Sequence, residues 1–291
     1  MASSVLTREE WVERARAHAE RVDVWVRPHL ERRALGNAHP VHDFLFTYYQ
    51  HRPAALRRWH PGYGVQLLDA PEYAESKGYA GGTVTAAHLA SRLPLIENIR
   101  TLLVATAGRP ATLGCFGLHE WAMVYRSSEP DSEVRHAWPL RLGPTGTDQV
   151  VESHRIGCSH FDAFRFFTPP ARPLNTLHPG RDDRVAFEQP GCLHAGMDLY
   201  KHAFRLSPLI PSDLVADAFE LAWDIRILDM RAAPYDFTGI SLDPTGEPWT
   251  PIAIETPDGK AEYVAMQREF SERGAPIRQA LIEWCDRLSF R

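Results

Sequence analysis

The chain has 291 residues, of which 44% are hydrophobic and 24% charged. This predicts a globular protein whose hydrophobic core is large enough to need no disulfide or structural metal. Its formal net charge of -5 argues against a protein that coats nucleic acid through bulk charge, although a local basic patch stays compatible with it. The four scattered cysteines form no C-x-x-C pair, and the opening MASSVLTREEW holds no apolar signal segment. All apolar runs are far shorter than about 18 residues. The sequence therefore predicts a reduced, cytoplasmic protein with no membrane contact.

Helical patterns dominate the chain in sequence order. Thr7-Arg-Glu-Glu10 is a capping-box pattern and predicts the start of a helix. A proline inside a helical pattern usually ends or kinks the helix, so Pro94 predicts a division between two helices. The first helix should extend to about residue 26, residues 84–107 should form two helices, and two strong helical patterns cover residues 191–206 and 212–232.

Residues 168–190 form a long proline-rich segment, and a loop of that length in a compact domain is usually functional or mobile. Further on, Asp258-Gly259 inside PIAIETPDGKAEYV predicts the turn of a β hairpin. Two C-terminal helices, split at Gly274, should follow. The sequence thus predicts a mainly α fold, a multi-helical single domain over residues 1–291 with minor β hairpins and with the proline-rich loop near the site.

Reactive side chains concentrate first in residues 152–168. His160, Asp162 and Arg165 lie there among phenylalanines that include Phe164. Isolated buried charge is costly, so these groups either pair inside the core or line an aromatic pocket. In the second case an aspartate would serve as base and an arginine as anion clamp. The sequence leaves both readings open.

The second concentration is CLHAGMDLYKH, in which His194, Asp198, Lys201 and His202 fall within about 100° of one helix surface. Glu188 precedes this helix, where a negative charge suits the free backbone amides. The stripe is either an ordinary solvated set of ion pairs or the wall of a pocket. We interpret it as facing a pocket, because the other reactive segments also need one.

The third concentration lies in residues 212–236. Asp229 and Arg226 stand off the main charged stripe, amid apolar side chains, so the Asp229 carboxylate needs Arg226 or Arg231 as a partner.

A metal centre is a competing interpretation, since histidines and carboxylates on paired helices build iron or other divalent-metal sites. No H-E-x-x-H motif is present, so this signal is suggestive and unspecific. The candidate ligands are His119, His160, Asp162, His194 and Asp198.

Six segments resemble a bacterial, mainly actinobacterial family labelled 3-methyladenine DNA glycosylase, over roughly residues 8–270. These segments are HPVHDFLFTYY, LRRWHPG, FGLHEWAMVYR, SHFDAFRFFTPPARPLN, EQPGCLHAGMDLYK and DIRILDMRAAPYD. The resemblance implies a base-excision N-glycosylase that acts on alkylated purines in DNA, without a cofactor. Such an enzyme needs an aromatic pocket, a carboxylate and phosphate-binding cations.

For that activity the candidate catalytic residues are Asp162 or Asp198 as base, oriented by His160 or His194. The candidate substrate contacts are Arg155, Arg165, Phe164 and Glu188. Two other functions stay open: a His/carboxylate metalloenzyme, similar to non-haem iron oxygenases, acting on a small metabolite, and a non-catalytic ligand-binding protein.

Overall fold

The structure is a computed structural model and describes residues 4–128, 138–241 and 246–289. Helices make up 57% of it and a small four-stranded sheet accompanies them, which confirms the predicted mainly α fold. Among the described residues, no helix combines the length and the apolar character that crossing a bilayer requires.

The eleven helices of the described residues are α1 Arg8–Ala34, α2 Phe44–Tyr48, α3 Pro53–Arg57, α4 Ala86–Ala107, α5 Leu118–Ala122, α6 Gly143–Ser153, α7 Phe161–Phe164, α8 Arg184–Phe187, α9 Leu193–Leu206, α10 Ser212–Arg231 and α11 Pro257–Ser289. The strands are β1 Ser4–Leu6, β2 Val65–Leu67, β3 Tyr79–Ala80 and β4 Thr83–Val84. The chain forms two compact units: unit 1 comprises residues 1–104, 197–223 and 276–291, and unit 2 comprises residues 105–196 and 224–275.

Helix α1 of unit 1 begins with the predicted capping box. The Glu10 carboxylate accepts a hydrogen bond from the Thr7 amide at 2.8 Å, and the Glu10 amide donates to the Thr7 hydroxyl at 3.4 Å. The helix continues through Pro28, which lacks an amide hydrogen. Burial of Val22 and Val26 on its inner face offsets that missing hydrogen bond.

The sheet of unit 1 has the order β1-β2-β4-β3. β1 pairs with β2 in parallel, while β4 pairs antiparallel with β2 and with β3. The tight turn between β3 and β4 needs Gly82, which has a φ of 74°. A Cβ atom at that position would lie 2.1 Å from the carbonyl oxygen of Leu67. Any other residue would therefore push β2 and β4 apart.

Two sequence expectations about helix ends are wrong. Helix α4 runs through Pro94 without a division, because Ile96, Ile99 and Leu103 continue its buried face beyond the proline. Helix α11 likewise passes Gly274 without a split.

The hairpin predicted at Asp258-Gly259 is also wrong, because these residues lie in the first turn of α11. The hydroxyl of Thr256 accepts a hydrogen bond from the Gly259 amide at 3.1 Å, as an N-cap does, and Pro257 fills the first helical position. A Cβ atom on Gly259 would lie 2.0 Å from the carbonyl oxygen of Ala253. This glycine thus permits close approach of the preceding backbone rather than a hairpin turn.

In unit 2 the proline-rich segment 168–190 is largely irregular, but side-chain hydrogen bonds attach it to neighbouring residues. It contains a 3-10 turn at Arg172–Leu174 and the short helix α8. The buried side chain of Asn175 accepts from the Cys158 amide at 2.7 Å and donates to the Cys158 carbonyl at 2.9 Å. Arg109 donates to the carbonyl of Val185 at 2.5 Å and to that of Glu188 at 2.9 Å. Side chains thus replace the backbone ladders that this segment lacks.

Candidate metal centre

Asp229 of unit 2 is fully buried near the end of α10. Its Oδ2 accepts from Nη1 of Arg226 at 3.0 Å, and Arg226 is one of the two partners that the sequence predicts. Nη1 of Arg226 also lies 3.3 Å from Oε1 of Glu120, and the Tyr235 hydroxyl donates to the other oxygen of Glu120 at 3.3 Å. Arg226 is thereby fixed between two carboxylates, and it holds Asp229 by one oxygen only.

His119 reaches the same place from the short helix α5. This helix starts after Gly117, whose φ of 67° is left-handed and suits glycine. Nδ1 of His119 lies 3.8 Å from Sγ of Cys115, and its Nε2 lies 3.0 Å from Oδ1 of Asp229. Those last two atoms are both buried and form no directed hydrogen bond with any described residue. They are close, but the geometry is not that of a donor aimed at an acceptor.

His194, in the first turn of α9, completes the group. Its ring centroid lies 4.5 Å from that of His119, with the planes nearly perpendicular. One ligand-type atom each from His119, His194 and Asp229 lies within 4.8 Å of the other two. The carboxylate among these histidines is Asp229, which the sequence predicts only as an ion-pair partner of Arg226 or Arg231.

A small cavity of about 10 Å³ lies beside His119 and His194, large enough for about one water molecule or ion. Three cysteines distant in sequence also line it: Cys115, Cys158 and Cys192. Burial raises the pKa of the Cys158 and Cys192 thiols, so both stay protonated at neutral pH. Scattered positions in the sequence gave no sign of this convergence.

The charges of the group are strongly coupled. Burial alone would raise the pKa of Asp229, but the charges of His119, His194 and Arg226 outweigh it and hold that pKa well below its usual value. Burial lowers the pKa of His119, yet the Asp229 carboxylate reverses this and raises it well above its usual range. Without a bound ion, the two residues form a charged pair.

Tyr263, from the part of α11 in unit 2, belongs to the same surroundings. Its hydroxyl is buried and has no hydrogen-bond partner among the described residues. Burial, with the nearby Cys115, Asp229 and Cys192, raises the pKa of this hydroxyl far above its usual value, so it keeps its proton. Sequence reasoning missed Tyr263, because nothing in its local pattern distinguishes it from a core tyrosine.

His160 and Glu188, both predicted site residues, lie together in unit 2. Nε2 of His160 is 3.3 Å from Oε1 of Glu188, and Nε of Arg184 donates to the same oxygen at 2.5 Å. Glu188 is 2% exposed, so it is an interior ion-pair partner and not a surface charge at a helix start. The ring of His160 lies 5.4 Å from that of His194.

The remaining predicted residues of the 152–168 segment are placed nearer the surface. Asp162 lies 3.5 Å from Arg165, whose guanidinium stacks over Phe166 at 4.3 Å. Phe164 packs edge-to-face against Phe167, while Arg155 is exposed.

Asp198 belongs to unit 1, where it is 3% exposed. It accepts from the Tyr49 hydroxyl at 2.9 Å and from Lys201 at 3.1 Å. His202 on the same stripe is also buried. The stripe is therefore not the solvated face of a helix.

Comparison with protein-family models, with curated proteins and with solved structures finds no match to this chain.

Proposed function

We propose that the protein is a metalloenzyme that binds one divalent transition-metal ion through His119, His194 and Asp229 and acts on a small metabolite. Two histidines and one carboxylate are the ligands of non-haem iron sites and of several zinc hydrolases. Three protein ligands leave further coordination positions for water and substrate.

The observation that carries the proposal is that one buried atom of His119 and one of Asp229 face each other without a hydrogen-bond partner among the described residues. Each residue uses one polar atom to hold its position, toward Cys115 and toward Arg226, and presents the other to the shared space. Nε2 and Oδ1 lie 3.0 Å apart without hydrogen-bond geometry. Two ligand atoms at a right angle, each about 2.1 Å from one ion, would be about 3.0 Å apart.

The surroundings suit such an ion. Outer hydrogen bonds that fix a ligand's free atom are the usual support of metal sites, and Arg226 gives this support to Asp229. A divalent ion bound here would supply Lewis-acid chemistry or, if it is iron, redox chemistry. The Tyr263 hydroxyl lies near Asp229 and keeps its proton, so it adds a neutral hydrogen-bond donor to the surroundings of the group.

The test is elemental analysis of tag-free protein, followed by titration of the chelator-treated protein with Fe²⁺, Mn²⁺ and Zn²⁺. We expect about one equivalent of metal in the wild type. His119→Gln and Asp229→Asn should lose it. The matched control is His29→Gln, which changes another buried histidine beside an aspartate and should keep the metal.

A wild-type protein that is isolated without metal and binds none of the three ions would overturn the proposal. The His119–Asp229 contact would then be an ion pair of the core. Because this outcome is read on the wild type, it does not depend on the variants folding.

Base excision from alkylated DNA is the second candidate. It rests on the resemblance, and one observation favours it: Arg155 is exposed and forms no ion pair with any described residue, as a phosphate contact would require. We expect release of free base from methylated DNA, weakened in Arg155→Gln and at higher salt. Release by metal-free protein at an undiminished rate would favour this candidate over the metalloenzyme.

A further inference from the structure

Unit 1 contains an open pocket of about 440 Å³, a volume typical of small-ligand sites. The residues that define its character are Arg52, Arg58, Lys77, Glu75, Phe204 and Pro208. The pocket is therefore lined by three cations, one carboxylate and the apolar side chains of Phe204 and Pro208. This balance is opposite to the net charge of -5 of the whole chain.

The cations of this pocket are not used for internal ion pairs. Among the described residues, none of Arg52, Arg58 and Lys77 pairs with a carboxylate; Arg58 only donates to the Ser76 hydroxyl. Elsewhere in unit 1 arginines pair readily, as Arg57 does with Asp23 at 2.6 Å. Three cations against the single carboxylate of Glu75 leave the pocket with an excess of positive charge, which attracts an anion.

The apolar part of the pocket is equally defined. The ring of Phe204 is stacked on His51, with centroids 3.7 Å apart, so its orientation is fixed. Burial lowers the pKa of His51, which packs on Phe204, to about 4, and burial lowers the pKa of His60, which lines the pocket, to about 3. Both rings are neutral at pH 7, and the positive charge of the pocket therefore comes from the arginines and the lysine alone.

We propose that this pocket binds a small phosphate monoester that carries a flat or apolar group. A phosphate monoester has a charge of about -1.5 to -2 at pH 7, which three cations neutralise better than they would a monoanionic carboxylate. Guanidinium groups match phosphate oxygens in a bidentate fashion. The apolar group would pack on Phe204 and Pro208. This inference concerns unit 1 and does not depend on the metal centre of unit 2.

The experiment is calorimetric titration of the full chain with phenyl phosphate, with phenol and benzoate as comparison ligands. We expect saturable one-to-one binding of phenyl phosphate, at least about tenfold tighter than benzoate, since the dianion engages more cations. The Arg52→Gln/Lys77→Gln variant should bind about tenfold more weakly or worse. Arg57→Gln, a neighbouring arginine that does not line the pocket, should bind as the wild type does.

Two results would overturn the proposal. One is the absence of saturable phenyl phosphate binding, or binding by the Arg52→Gln/Lys77→Gln variant that equals that of the wild type. Arg52, Lys77 and the control Arg57 are all exposed, so these substitutions should not affect folding. The other is a single-stranded oligonucleotide that displaces phenyl phosphate with an affinity that grows with strand length. That result would assign the cations to a nucleic-acid groove and not to a small-ligand pocket.

Discussion

The two units each contain a buried cluster that includes a histidine, an aspartate and an arginine. The clusters differ in whether both oxygens of the aspartate accept a hydrogen bond. In unit 1, Oδ1 of Asp43 accepts from Nδ1 of His29 at 2.8 Å and from Arg32 at 2.5 Å, and Oδ2 accepts from the His39 amide at 2.8 Å. Both carboxylate oxygens are thereby used.

In unit 2, Arg226 holds Asp229 by Oδ2, while Oδ1 faces Nε2 of His119 without a directed hydrogen bond. A second imidazole ring, that of His194, packs against His119, and both histidines line a small cavity. Both clusters combine a histidine, an aspartate and an arginine, so these three residue types alone do not distinguish them. The difference lies in whether both oxygens of the buried aspartate already have a hydrogen-bond partner.

The largest expected difference between the clusters is in stability. Asp229→Ala should cost about 3–5 kcal/mol, because it leaves the buried His119 without its counter-charge and removes one of the two carboxylates that hold Arg226. Asp43→Ala should cost about half as much, because the side chain of Arg32 is 23% exposed and can turn toward water, whereas that of Arg226 is 8% exposed. Urea unfolding of both variants measures this. Equal losses would mean that the two clusters are energetically alike.

A metal ion should then separate the clusters more sharply. At a free concentration of Zn²⁺ one hundred times its Kd, the free energy of unfolding of the wild type should rise by about 2.7 kcal/mol. His29→Gln should show the same gain and His119→Gln none. The readout is the urea midpoint with and without metal. A gain that also disappears in His29→Gln would place the ion elsewhere.

A buried histidine without a carboxylate partner should make the stability of the protein depend on pH, in contrast to the two paired histidines. Burial lowers the pKa of His60 in unit 1 to about 3, below its value of 6.5 when unfolded. The unfolded chain therefore takes up a proton before the folded one, so the stability contributed by neutral His60 is full above pH 6.5 and falls with pH toward 3. Between pH 7 and 5 we expect a loss of about 2 kcal/mol from this residue.

Thermal or urea unfolding at both pH values tests that loss. The His60→Asn variant should show a shallower pH dependence, whereas His178→Asn, at an exposed histidine, should behave as the wild type does. Identical slopes in all three proteins would show that His60 is not responsible.

The smallest effects concern the tyrosines that support carboxylates in each unit. Tyr235→Phe in unit 2 should cost about 1 kcal/mol and Tyr49→Phe in unit 1 about 1.5 kcal/mol, because a hydrogen bond to a charged oxygen weakens with length. The two contacts are 3.3 Å to Glu120 and 2.9 Å to Asp198. Denaturant unfolding gives both values, and the reverse order would contradict the distances.

The sequence was sufficient for the features that local chemistry determines. The capping box at Thr7 and the helices near 191–206 and 212–232 follow from short-range patterns, and the structure confirms them. The need of Asp229 for a nearby arginine follows in the same way, and of the two predicted candidates the structure shows Arg226. The hairpin at Asp258-Gly259 failed because the same letters also satisfy a helix start, and only the tertiary contact of Gly259 decides between them.

The site was harder to predict, because its residues are far apart in the chain. His119, His194 and Asp229 come from three helices, and no spacing in the sequence shows that they meet. One signal was available: Asp229 stands amid apolar residues, where a carboxylate must be neutralised. A nearby arginine is enough to neutralise that carboxylate, so the sequence gives no reason to expect a ligand on the second oxygen of Asp229.

The hydrogen bonds that Arg109 makes to the carbonyls of Val185 and Glu188 have a consequence for exchange of the backbone amides with deuterium. A segment with so little regular structure would ordinarily exchange within seconds. Here one arginine, together with the side chain of Asn175, couples residues 168–190 to their neighbours. Opening of this segment must break several such contacts at once, so its protected amides should exchange together and not one by one.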